Sequence, residues 1–73
     1  MQKRIKNFSD WKKLLLNSND LAGLKTYLDN IDVLYGELRT SMGRVLMSME
    51  MIEIQEILEE RIEHLENANK VAA

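Results

Sequence analysis

Residues 31–65 read IDVLYGELRTSMGRVLMSMEMIEIQEILEERIEHL, and within them the apolar positions change helical face. Ile31, Leu34, Tyr35, Leu38, Met42, Val45, Met49 and Ile52 recur at three- and four-residue steps, the spacing of one stripe along an α-helix. Continued further, that stripe lands on Glu56 and Glu59. Met47, Met51, Ile54, Leu58, Ile62 and Leu65 form a second series about two residues out of phase, on roughly the opposite side at about 100° per residue. A single helix with one buried face cannot satisfy both. Either the chain bends near Met47 to Glu50, or an unbroken helix packs on different sides at its two ends, which requires more than one chain.

The rest of the chain is read outward from that stretch. Proline, the strongest helix breaker, is absent, and β-branched residues are too sparse for strands. The expected fold is all-α: two short N-terminal helices followed by a long helix, continuous or bent, assembling as a helical-bundle or coiled-coil oligomer. Its parts are a basic arm over 1–8, a short helical hairpin over 9–30, a long amphipathic helix over 31–68 and a frayed tail over 69–73. Ser9 with Asp10 behind it suits a helix start, and residues 17–20, Asn-Ser-Asn-Asp, suit a turn that caps a second helix carrying Leu21, Leu24 and Leu28. That helix ends or bends at Asp29 and Asn30, or runs on into Ile31. Gly36, Thr40 and Gly43 share the face that later becomes apolar at Met47. Such a face either admits a second backbone closely or marks a flexible joint.

Size sharpens the question of partners. A chain of 73 residues buries only about 60% of its unfolded surface, and with no cysteine for a disulfide the remaining way to enlarge the core is association. A homo-oligomer, dimer or higher, is therefore expected. The apolar content of 45% and charged content of 30% argue against global disorder. No apolar run approaches the roughly 18 residues of a membrane span, and the basic start lacks the apolar segment of a signal peptide, so no membrane partner and a cytoplasmic setting are expected.

Charge is uneven. Residues 1–16 carry Lys3, Arg4, Lys6, Lys12 and Lys13 against Asp10, whereas residues 50–73 carry seven glutamates against Arg61 and Lys70, and the whole chain has a net charge of −2. A basic head and an acidic tail attract each other between antiparallel chains, serve separate partners, or simply lie in solvent.

Little in the sequence supports catalysis. The one histidine, His64, follows Glu60 by four residues, which suits a surface pair better than a metal site. The serines lack a nearby base, and the three glycines are isolated, so neither a nucleophilic centre nor a phosphate loop is formed. No cofactor, metal or enzymatic activity is expected. A nucleic-acid reading rests on Lys3, Arg4, Lys6, Lys12 and Lys13 beside Phe8 and Trp11. Against it stand the overall acidity and a would-be recognition helix, residues 20–26, with one cation. Arg39 and Arg44 beside the methionine cluster add a third reading, an anionic small ligand held at an oligomer interface.

The leading expectation is a helical interaction module that self-associates and binds another protein, inhibition of that protein being one outcome. Trp11, Leu38, Met42 and Met49 are the residues expected to drive assembly, and Met51, Ile54, Leu58, Ile62 and Leu65 to form the partner or second interface. In size and composition the chain resembles the small cysteine-free accessory proteins of bacterial phages and mobile elements, a resemblance that no motif carries.

Overall fold

The computed structural model describes residues 7–72, and every regular element within them is an α-helix. Four helices follow in order: α1 Phe8–Leu16, α2 Leu21–Asp29, α3 Ile31–Met42 and α4 Ser48–Ala72. The long segment expected over 31–68 is thus two helices, and the chain turns at residues 43–47, slightly ahead of the expected bend. Gly43 causes the break. Its φ of 73° lies in the left-handed region, which a residue without a Cβ enters cheaply, and its N–H closes on the Arg39 carbonyl at 2.9 Å. Gly43 is therefore a joint. At Gly36 nothing lies within 4 Å of an added Cβ, so no other element of this chain closes on that position.

Local chemistry explains the other boundaries. α1 is capped by Asn7, whose Oδ1 accepts from the Asp10 N–H at 2.9 Å, in place of the expected Ser9, which lies inside the first turn. Asn7 has the extended backbone that a cap needs, and its amide oxygen reaches the third helical N–H. Of the turn expected to cap α2, residues 17–20, it is Asp20 that does so, accepting from the Gly23 N–H at 3.0 Å. A Cβ at Gly23 would collide with that carboxylate, so glycine allows the cap to close. Between α2 and α3 only Asn30 leaves the helical region.

One core unites all four helices. Trp11 and Leu15 come from α1, Leu24 from α2, Leu34 and Leu38 from α3, and Ile54, Leu58 and Ile62 from α4. Both apolar series therefore meet inside a single chain, because α1 and α2 each pack on α4 and also on α3. Full burial of each such side chain contributes about 1.5–3 kcal/mol. One cost is visible: the Trp11 Nε1–H is buried without an acceptor.

Polar contacts tie the surface together across the same helices. Arg61 of α4 donates to the Ser18 carbonyl at 2.8 Å and to Asn19 Oδ1 at 2.9 Å, anchoring the turn between α1 and α2. Lys12 pairs with Glu53 at 3.2 Å and Lys25 with Glu66 at 2.7 Å, so cations of the first half meet glutamates of the second within one chain.

Candidate protein interaction surface

The elbow between α3 and α4 is held by an ion pair buried on one side. Glu50 is the one buried charged residue among those described, and both guanidinium nitrogens of Arg44 donate to it, at 2.8 Å to Oε1 and 2.7 Å to Oε2. The backbone N–H of Met47, just ahead of α4, donates to the same Oε1 at 3.0 Å. Met47 has no side-chain acceptor with which to cap α4. Glu50, three residues further on, reaches back and satisfies that end of the helix, as the glutamate of a capping box does. Hydrogen bonds from Arg44, then from Met47, hold the Glu50 carboxyl down at about 2 from an ordinary value of 4.5, against the opposing effect of burial. A bidentate fork of this kind fixes direction as well as distance.

Around this latch the chain exposes apolar surface. Val45 is 69% exposed, Met47 63%, Met49 74% and Ile52 56%. Met49 and Ile52 are three apart on the outward face of α4, opposite Ile54 and Leu58, and Met47 precedes them at the helix start. Such side chains occur singly on most surfaces; here four large apolar ones stand exposed within eight positions of the chain. A second apolar feature is an open groove of about 930 Å³ between α1 and α2, with Leu15 and Leu24 among its lining residues, half-exposed Leu14 and partly buried Tyr27 beside them, and Asp10, Lys13 and Asp20 at its polar margin. Burial, with the charges of Glu37 and Asp20, raises the Tyr27 phenol above its ordinary value, so the hydroxyl stays protonated at neutral pH.

The expected site residues are divided between core and surface. Trp11 and Leu38 are buried, Met42 is partly buried, and of the four assembly residues only Met49 is largely free to meet another chain. Ile54, Leu58 and Ile62 are buried in the core, with Leu65 packed against it and Met51 partly exposed, so most of the expected second interface lies inside the protomer. The reason is that α1 and α2 supply the apolar partner that a second chain was expected to bring. Val45 and Ile52, which continue the first apolar series by spacing, stand in solvent, because the break at Gly43 ends that stripe at Met42.

The cationic residues are similarly divided. Lys3, Arg4 and Lys6 lie outside the described residues. Lys12 is engaged by Glu53 and sits 5.2 Å from the centre of the Phe8 ring, and Arg44 is committed to Glu50. Lys13 and Arg39 are exposed and without an ion pair among the described residues. Arg39 and Arg44 consequently do not form a free pair for an anion. His64 is exposed, and among the described residues no three His, Cys, Asp or Glu side chains gather where a metal ion could be held. No helix among them is long and apolar enough to cross a membrane.

Sequence reasoning missed the Arg44–Glu50 latch. Its signal was a glutamate at the third position of a helix that lacks a capping side chain, readable only once the start of α4 is known. No protein-family model matches the chain, nor does any curated protein or solved structure match it significantly.

Proposed function

We propose that the protein is a non-enzymatic helical interaction module that docks on another protein through the apolar elbow, with Met47, Met49 and Ile52 as the inserted side chains. The observation that carries this reading is the exposure of large apolar residues on a turn braced by a bidentate ion pair whose carboxylate is buried. Bracing lowers the ordering cost of binding, because the turn need not be fixed when the partner arrives. Methionine adds an unbranched, polarizable side chain that adapts to an irregular groove. Inhibition follows where the covered groove is the partner's own working surface. A cysteine-free chain of this kind suits a reducing, cytoplasmic setting.

The test is photocrosslinking. A photoreactive residue at position 49 is expected to give a discrete heterologous adduct that disappears on adding excess unlabelled protein, while the same residue at position 63, on the acidic outer face of α4, gives none. Equal labelling from both positions, or competition that works as well with the Met47→Asp, Ile52→Asp variant, would overturn the assignment.

A further inference from the structure

We infer that α3 pairs with the α3 of a second copy of this chain, antiparallel and crossing at Gly36. This rests on the reading of the protein as an interaction module and names a surface separate from Met47, Met49 and Ile52. Leu34 and Leu38 point into the core, which turns Asp32, Gly36, Arg39 and Thr40 outward, with Val33 at the edge. Asp32, Val33, Arg39 and Thr40 are exposed, and neither Asp32 nor Arg39 has an ion pair among the described residues. Gly36 lies at the centre with open space above it. Shallow depressions flank it, one bordered by Asp32, Arg39 and Val45 and the other by Val33 and Thr40.

The order of these residues is complementary to itself. A two-fold axis at Gly36, normal to the plane of the paired helices, sets each flank of α3 against the same flank of the second copy with its order reversed. At 1.5 Å per residue Asp32 lies about 6 Å before Gly36 and Arg39 about 4.5 Å after it. Arg39 of the second copy therefore comes within about 1.5 Å of Asp32 along the axis, and symmetry repeats the pair. On the other flank Val33 meets Thr40 of the second copy. A parallel pair would instead exchange the flanks, setting Asp32 and Arg39 against Val33 and Thr40 of the second copy with no ion pair formed, and would align the two helix dipoles unfavourably. Gly36 opposite Gly36 lets the backbones come close enough for the charged side chains to meet. Val33 and Val45, both largely exposed in the single chain, lie beside this contact. α3 has 12 residues and is about 18 Å long, so the contact is smaller than a standard interface and the dimer is concentration-dependent, with a Kd on the order of 100 μM.

Sedimentation velocity of the full chain at low salt, from about 10 μM to about 1 mM, tests the pairing. The wild type should shift from monomer to dimer across that range. Asp32→Arg and Arg39→Asp each create two like-charge contacts and should raise the Kd at least about tenfold, while the double exchange restores it to within about threefold. Gly36→Leu should remain folded by circular dichroism and be monomeric. A wild type that stays monomeric at about 1 mM overturns the inference, as does a dimer that neither charge reversal weakens. A dimer broken by Met49→Asp with Ile52→Asp, and not by the α3 variants, places self-association at the elbow and also overturns it. The elbow crosslink, read separately with the Gly36→Leu monomer, shows whether the proposed docking function stands or fails independently.

Discussion

The turn between α1 and α2 and the elbow between α3 and α4 interrupt the chain over similar lengths, residues 17–20 and 43–47, by opposite means. The first is built from local polar side chains. Asp20 caps the helix that follows, Ser18 Oγ accepts from the Asp20 N–H at 3.2 Å, and Arg61 holds the turn down from α4. The elbow begins with a left-handed glycine, has no capping side chain at Met47, and depends on Glu50 reaching back while Arg44 reaches forward. One turn therefore presents amide, hydroxyl and carboxylate groups to water, and the other presents valine and methionine. Where a turn keeps apolar side chains in solvent and braces them with a buried charge, stability and surface chemistry have been separated: the brace fixes the shape and leaves the tip exposed.

Removing the core beneath both turns should have the largest effect. Leu58→Ala is expected to lower unfolding free energy by about 2–5 kcal/mol and to loosen the two turns together, seen as loss of amide exchange protection at both. Glu50→Ala should cost about 1–2 kcal/mol and loosen the elbow first, while Asp20→Ala costs about 1 kcal/mol and loosens the start of α2 first. If exchange protection falls equally at both sites in these two variants, the turns are not separate devices.

Acid offers a second separation. Because the Glu50 carboxyl is held below its ordinary 4.5 at about 2, the latch contributes fully above about pH 4.5 and is lost as pH falls through about 2. Stability of the wild type measured by denaturant titration should therefore fall across that window, and Glu50→Gln should remove the part of the fall that belongs to the elbow.

Gly36 within α3 and Gly43 at its end sharpen the contrast further, since the same substitution has opposite signs. Gly43→Ala should destabilise by about 1 kcal/mol through its positive φ, whereas Gly36→Ala, with room for a Cβ and ordinary helical geometry, should stabilise the monomer by about 0.5–1 kcal/mol in thermal unfolding. Smallest of all, Lys12→Met should change stability by less than about 1 kcal/mol, because the Lys12–Glu53 pair is substantially exposed.

Much of this architecture is readable before folding is considered. The absence of proline and the three- and four-residue spacing declare helices; the change of phase after Ile52 declares that one straight amphipathic helix will not do; Asp20 announces its helix by the ordinary chemistry of a cap. The core is legible as a set, since Leu34, Leu38, Ile54, Leu58 and Ile62 stand out by spacing. The elbow was much less so. Val45, Met49 and Ile52 obey the same periodicity as Leu34 and Leu38, and nothing in the spacing says that the stripe ends in solvent.

Sequence by itself determined the helical class, the opposition of two apolar faces and the stretch where the chain either bends or is packed on two sides, because period and backbone preference are local properties. Tertiary structure alone decided that α1 and α2 answer both faces within one chain, that Gly43 rather than a later residue forms the joint, and that Arg44 and Glu50 meet across it. Periodicity assigns a side chain to a direction around its own helix axis. What lies in that direction depends on how the other helices pack.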